Sequence, residues 1–351
     1  MNSDLLPDSV CILRMSAIGD VTHVVPVVRA IQDRSGDTRI TWVCGRLEHK
    51  VLAELQGVRF VIFDKGAGWR AFRDLQRELA GEQFDVLLHM QVAARANLAS
   101  TLIKAGVRLG WDKARSRDLH QLFINRRVED AARQHQVQGF LSFARALGLD
   151  AGEPRWDLPV SRESRAFAEQ VLPGEQPTLV ISPCSSHTFR NWAAERYAAV
   201  ADHAAAGLGM RVALAGGPSE TEASMGQAIE RSMRTESVNL IGRDTLPQSL
   251  ALLQRADVVL APDAGPAHLA NALGTPVIGL YACTWSIRSG PYDSLDICVD
   301  RFPEAARRFT GKEPESLRWG TRIEKPGVME LISVDDVIDR LEEVVRGPRQ
   351  E

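Results

Sequence analysis

Short apolar runs alternate with amphipathic stretches twice along this chain, and that alternation limits the fold more than any other feature. In the first series, residues 10–13, 40–43, 59–63 and 84–88 read as buried strands, and 20–31, 47–55, 69–79 and 93–104 as helices. Over 69–79, Phe72, Leu75 and Leu79 share one face, and Arg70, Arg73, Asp74 and Arg77 the other. Pro26 must kink the first helix or lie near its start. The second series puts strands at 178–182, 211–215, 238–241, 257–260 and 277–281, and helices at 193–206, 221–233, 246–254 and from 265 onward. Strands alternating with helices imply a parallel sheet covered on both faces. The fold class expected is therefore α/β, with two such units in succession.

Other stretches fix the boundaries. Residues 110–133 break the pattern and carry Lys113, Arg115, Arg117, Arg126, Arg127 and Arg133 with few acids. A long helix is expected over 131–149, and Gly152, Pro154 and Pro159 mark a linker. Residues 301–326 have weak periodicity, and 334–345 read as a closing helix. The expected domains are 1–158 and 159–330, with 331–351 as a final helical segment. At 351 residues and 44% hydrophobic composition, each unit has material for its own core.

Several function classes are disfavoured. No G-x-G-x-x-G follows the first strand and there is no P-loop, which argues against a nicotinamide dehydrogenase and a phosphate-loop ATPase. A formal net charge of -3 does not suit a general nucleic-acid binder. The start, Met1-Asn2-Ser3-Asp4, is polar, so no signal peptide is expected, and no stretch is long enough to span a membrane. The five cysteines are scattered without a C-x-x-C, which suits buried thiols in a reducing cytoplasm.

In doubly wound sheets, ligands sit at the carboxyl ends of the strands. The loops after Leu13, Ser182, Ala215, Ile241 and Leu260 are therefore where chemistry is sought. After Leu260 comes Asp263-Ala264-Gly265-Pro266, with His268 soon after. Asp263 reads either as a plain helix cap or as part of a phosphate seat at a helix N-terminus. Ser185, Ser186 and Arg190 follow the 178–182 strand and suit a diphosphate, or a polar surface loop. Glu220 follows Gly216-Gly217-Pro218-Ser219 and either accepts from sugar or ribose hydroxyls or favours a helix N-terminus by its charge. In the first half, Asp20 follows Ser16-Ala17-Ile18-Gly19 as a cap or as a general base, with His23 nearby. Arg115, Arg126 and Arg127 form a solvated face or receive an acidic acceptor. No Asp-x-Asp pair occurs, so a diphosphate would be neutralised by backbone N–H groups and Arg190 rather than by a metal.

The segments S-A-I-G-D-V-T-H-V-V-P at 16–26 and D-A-G-P-A-H-L-A-N-A-L-G-T-P at 263–276, with P-C-S-S-H-T-F-R-N-W between them, resemble glycosyltransferase family 9, the bacterial ADP-heptose:lipopolysaccharide heptosyltransferases. The stretch L-F-I-N-R-R at 122–127, followed by Gln134-His135, is most like the members acting first on the inner core. The resemblance covers nearly the whole chain. It implies a GT-B fold of two Rossmann-like domains facing a cleft, with the C-terminal helix returning to the first. It implies inverting transfer of heptose from ADP-L-glycero-D-manno-heptose to Kdo or heptose of the inner core, without metal or cofactor, at the cytoplasmic face of the inner membrane. Asp20 matches the proposed base. Ser185, Ser186, Arg190, Glu220, Asp263, Ala264, Gly265 and His268 match donor contacts. Arg115, Arg126 and Arg127 are assigned to the acceptor. There are three departures: Ala264 where a hydroxyl residue is frequent, Asp244 where an apolar adenine contact is known in a relative, and Arg190 in place of a lysine. Another GT-B nucleotide-sugar enzyme, such as an epimerase, and a catalytically silent nucleotide-sugar-binding protein are the alternatives.

Overall fold

The computed structural model describes residues 7–347. The chain divides into two compact units, Met1–Pro159 and Val160–Glu351. The change of unit falls one residue beyond the boundary expected from the linker.

The first unit holds β1 (Ser9–Leu13), α1 (Ile18–Thr22), α2 (Val25–Arg34), β2 (Arg39–Cys44), α3 (Arg46–Leu52), β3 (Val58–Ile62), α4 (Trp69–Glu78), β4 (Phe84–His89), α5 (Ala94–Ser100), β5 (Ala105–Gly110), β6 (Arg126–Arg127) and α6 (Gln136–Ala146). Its strands form one parallel sheet in the order β3-β2-β1-β4-β5-β6. β1 is buried along its whole length, as a central strand covered on both faces must be. Pro26 sits in the first turn of α2, where its missing N–H is harmless, and the expected single helix becomes two. The 110–133 break conceals β6 and follows β5. The sequence of β5, A-G-V-R-L-G, hides a strand because glycines flank it and Arg108 interrupts it. That guanidinium is satisfied by the carbonyls of Ser100, Ile103 and Phe123, at 2.7–2.8 Å. The helix expected from 131 begins at Gln136, where His135 Nδ1 accepts the Val137 N–H at 3.2 Å.

The second unit holds α7 (Arg162–Val171), β7 (Thr178–Ile181), α8 (Ala194–Asp202), β8 (Arg211–Leu214), α9 (Glu220–Ser232), β9 (Val238–Asn239), α10 (Leu246–Arg255), β10 (Val258–Pro262), α11 (Gly265–Ala272), β11 (Val277–Tyr281), α12 (Ser286–Ser289), β12 (Val299–Asp300), α13 (Phe302–Thr310) and α14 (Val334–Arg346). Its sheet is again parallel, in the order β12-β11-β10-β7-β8-β9. α7, β12 and α13 lie in stretches where the sequence showed little periodicity. The segment 331–351, expected to return to the first domain, contributes Val337 and Leu341 to the core of the second unit.

Each sheet reverses strand order once, between β1 and β4 in the first and between β7 and β10 in the second. Loops diverge there and leave a crevice at the carboxyl edge.

Candidate active site

In the second unit, the loops after β7 and β10 meet at the reversal point. Ser185 is buried, and its N–H donates to Asn191 Oδ1 at 2.7 Å. Its hydroxyl donates to the Asp263 carbonyl at 3.2 Å and accepts the His187 N–H at 3.3 Å. Ser185 therefore braces the loop, while Ser186 is exposed and open to a ligand. Arg190 is buried, and its Nη1 donates to the Asp263 carbonyl at 3.2 Å and to Oδ2 at 3.0 Å. Its Nη2 is 4.0 Å from Glu324 Oε1. The buried Nε has no hydrogen-bond partner among the described residues and remains a donor for an anion. Cys184 beside this loop is no nucleophile near neutral pH, since burial pushes its thiol up to about 11.

Asp263 faces inward. Burial alone would raise its pKa, but His268, Arg190 and Thr284 outweigh that and hold the carboxyl below the usual range. His268 Nε2 lies 3.8 Å from Asp263 Oδ1. Asp263 is thus neither the cap of α11 nor a direct phosphate contact; it anchors Arg190 and the turn. The residue at the cap position is Ala264, in extended backbone and without a side-chain cap. Gly265 and Pro266 then open the helix; Pro266 has no N–H and the Ala267 N–H donates to the Ala264 carbonyl at 3.2 Å, so the turn offers the Gly265 N–H and the positive dipole end. A positive helix end of this kind favours a nearby anion.

The loop after β8 is held by Glu222, which sequence reasoning missed. Glu222 accepts the Gly217 N–H at 2.8 Å and the Ser219 hydroxyl at 2.6 Å, while Ser219 caps α9. Glu220, one turn position earlier, is exposed. Gly242 stands at φ +71°, donates to the Gly216 carbonyl at 3.0 Å, and packs its α-carbon side against Pro218. Two residues on, Asp244 is half-buried and accepts the Ser249 hydroxyl at 2.5 Å; burial raises its pKa. The S/T-x-x-E spacing at 219–222 was the available signal for Glu222. Glu324 had none, because it lies in an irregular stretch.

In the first unit, the loop after β1 is pinned from β2 and β4. Trp42 Nε1 donates to the Arg14 carbonyl at 3.1 Å, and Gln91 bridges the Met15 N–H at 2.7 Å and the Ser16 hydroxyl at 3.0 Å. Asp20 occupies the third position of α1. Its Oδ2 accepts the Ala17 N–H at 3.2 Å and pairs with Arg14 Nη2 at 2.5 Å. Its side chain is 28% exposed, and Oδ1 accepts no hydrogen bond among the described residues. Asp20 therefore caps the helix with one oxygen and presents the other. Arg14, whose Nη1 donates to the Met90 carbonyl at 2.8 Å, fixes that orientation. Buried His23 lies against His135 and Phe140, in the packing role.

The three acceptor arginines separate. Arg115 pairs with fully buried Asp112, donates to the Glu129 carbonyl at 2.9 Å and lies over the Trp111 ring at 4.7 Å. That makes it a brace of its loop. Arg126 and Arg127 are exposed on β6 and make no ion pair with an acid among the described residues.

Two doubly wound parallel sheets, one with a presented carboxylate and one with an anion seat, are the architecture of a GT-B glycosyltransferase. The chain belongs to glycosyltransferase family 9 (heptosyltransferase), whose model matches residues 72–316. It is 38% identical over 338 residues to the lipopolysaccharide core heptosyltransferase OpsX of Haemophilus influenzae, covering 96% of this chain and 97% of that one. It is 24% identical over 290 residues to lipopolysaccharide heptosyltransferase 1 of Salmonella typhimurium, covering 78% of this chain and 88% of that one. Among solved structures, a family 9 glycosyltransferase from Veillonella parvula superposes with a TM-score of 0.81 at 19% identity over 99% of both chains. The E. coli heptosyltransferase WaaC with ADP superposes with a TM-score of 0.72 at 18% identity, covering 96% of this chain and 99% of that one. These structural likenesses establish the shared fold.

Proposed function

We propose that this enzyme transfers heptose from ADP-L-glycero-D-manno-heptose to Kdo or heptose in the inner core of lipopolysaccharide, with inversion and without a metal ion. The observation that carries the reading is the pair of unlike sites at the two strand-order reversals. One offers a carboxylate oxygen to a hydroxyl, and the other offers the positive N-terminus of α11 and Arg190 to an anion. The names of the relatives, and the ADP in the E. coli neighbour, supply the substrate class.

In this mechanism Asp20 Oδ1 takes the proton of an acceptor hydroxyl as that oxygen bonds to the anomeric carbon. The bond from that carbon to the diphosphate breaks on the opposite face, through a transition state of oxocarbenium character. The leaving ADP gathers negative charge, which the α11 N-terminus, Arg190 and Ser186 stabilise. Glu220 takes nucleoside hydroxyls, Asp244 lies toward the base, and Arg126 and Arg127 hold acidic groups of the acceptor. No helix among the described residues is long and apolar enough to cross a membrane. A lipid-linked acceptor therefore calls for a peripheral approach, at the cytoplasmic face of the inner membrane.

The test is incubation with ADP-heptose and truncated core acceptors, with mass spectrometry of the product. One added heptose on a Kdo- or heptose-terminated acceptor supports the reading, and activity only with other nucleotide sugars overturns it. Asp20→Ala is expected to lower turnover by roughly 10²–10⁴ while ADP affinity stays near wild type. Wild-type turnover in that variant would leave Asp20 as a cap alone.

A further inference from the structure

The three most exposed large apolar side chains among the described residues are Leu122, Trp69 and Leu119, at 76%, 75% and 72%. All three lie in the first unit, Trp69 at the start of α4 and Leu119 and Leu122 in the connection after β5, both of which follow the carboxyl ends of strands. They are also tied to one another. The Ala94 N–H at the start of α5 donates to Asp118 Oδ2 at 3.0 Å, and Asn97 Nδ2 donates to the Asp118 carbonyl at 2.7 Å. From the same helix turn, Arg95 Nη1 donates to the Lys65 carbonyl at 3.2 Å, just ahead of α4 and Trp69. The first turn of α5 thus joins the two loops, and its own Leu98 is 40% exposed.

The 119–122 stretch is built to present its leucines. His120–Leu122 is a 3-10 turn with Leu119 as its left-handed N-cap, and both leucines are left in solvent. His120 points inward and is fully buried, and Gln121 turns back to the Trp111 carbonyl at 2.9 Å. Asp118 and Leu119 both take left-handed backbone, at φ 50° and 58°, unfavourable for residues with a Cβ. The core gains nothing from that conformation, since the side chain it sets out is in solvent.

The exposed charge around these leucines is mainly cationic. Residues 112–130 hold Lys113, Arg115, Arg117, Arg126 and Arg127 against Asp112, Asp118, Glu129 and Asp130; Asp112 is taken by Arg115 and the Asp118 carboxylate by α5. Lys113, Arg117 and Arg95 are exposed. Apolar tips ringed by cations match an anionic lipid surface, where the apolar groups enter the acyl boundary and the cations meet headgroups.

We infer that the face formed by Trp69, Leu98, Leu119 and Leu122, with Arg95, Lys113 and Arg117, docks on an anionic bilayer. The inference rests on the proposed lipid-linked acceptor for its biological setting, and on geometry for its location. Asp20 opens from the same edge of the same sheet, so docking here brings the headgroup layer to the side of the unit that presents the base.

The test is co-sedimentation of the full chain with vesicles containing phosphatidylglycerol, and with vesicles of phosphatidylcholine alone. Wild type is expected to partition onto the anionic vesicles and to be released as salt rises. L119S/L122S, with an unchanged thermal melt, is expected to lose about tenfold or more of that partition. K113E/R117E is expected to lose a comparable amount, chiefly at low salt. Equal partition of L119S/L122S and wild type overturns the inference. A de-acylated acceptor separates the two readings. L119S/L122S is expected to transfer heptose to it at the wild-type rate, and to fall behind only on vesicle-embedded acceptor. If wild type itself transfers nothing to either acceptor, the proposed reaction fails, while the vesicle partition still decides the docking face.

Discussion

At the scale of single residues, the second site turns on an arginine whose two tasks compete. Arg190 neutralises a buried aspartate and also keeps a buried Nε without a partner among the described residues. Arg190→Ala leaves Asp263 buried without its main cation, which costs about 3–5 kcal/mol. Its thermal melt is expected to drop sharply, so weakened ADP binding in that variant would not isolate the ligand contact. Arg190→Lys keeps a cation near Asp263 but loses the planar fork. That variant is expected to melt near wild type and to bind ADP about tenfold more weakly by calorimetry; unchanged affinity would remove the fork from the site. A second residue-scale expectation concerns acid. His89 and His120 are fully buried with ring centroids 4.4 Å apart, and burial lowers them to about 3 and about 4. The Trp111 N–H donates to His120 Nε2 at 3.2 Å, so Nδ1 carries the proton and points to Asn97 Oδ1 at 3.0 Å. The unfolded chain takes up protons at the ordinary histidine pKa near 6.5 and the native state does not. Stability is therefore full above about 6.5 and falls as pH drops toward the folded values. Melting temperature is expected to fall by several degrees between about pH 7 and about pH 5, and by less in His120→Gln. An equal fall in both would detach the effect from this pair.

Among elements, the loops that enter helices carry the site, and they differ in how far sequence reveals them. The strand-turn-helix at 258–272 is readable, because Gly265 and Pro266 follow an apolar run. That Asp263 turns inward is not, since its partners, Arg190 and Thr284, come from distant stretches. Asp20 differs, since both its capping bond from Ala17 and its ion pair with Arg14 are made within the same short loop. Arg115 looked like its exposed neighbours in a basic stretch until Asp112 and Trp111 were seen to hold it. β5 and β6 were illegible because their pairing, not their composition, makes them strands: Asn125 bonds the edge of β5 at both Arg108 N–H and Gly106 carbonyl before β6 begins. The Gly216–Ser219 loop gives the prediction at this scale. Glu222→Ala frees the Gly217 N–H and the Ser219 hydroxyl, and each such bond is worth about 1 kcal/mol. ADP affinity is expected to fall by roughly five- to tenfold if that loop shapes the nucleoside site. A Glu220→Ala variant tests the direct contact, and an unchanged ADP affinity there would leave its charge serving only the helix.

For the whole molecule, two units with separate cores mean that ligand and stability can be assigned to one or the other. The second unit keeps α14 within its own core, through Val337 and Leu341. A chain of residues 160–351 is expected to fold and bind ADP, with a melt that rises as ADP is added; a fragment that folds yet ignores ADP would move the anion seat elsewhere. The alternation of strand and helix made the two-unit architecture legible from the start, because periodicity is a local signal that survives without knowing the partner. The sheet edges hold a further consequence. β6, β9 and β12, three of the four outermost strands, are two residues long, and the fourth, β3, carries Arg59 tied back to Glu82 and the Glu78 carbonyl. Three of the four sheet edges are thus too short to offer a neighbouring copy a ladder to extend, and the fourth, β3, carries a charged side chain on its edge. Short and charged edges of this kind disfavour edge-to-edge pairing when copies are gathered at high local density.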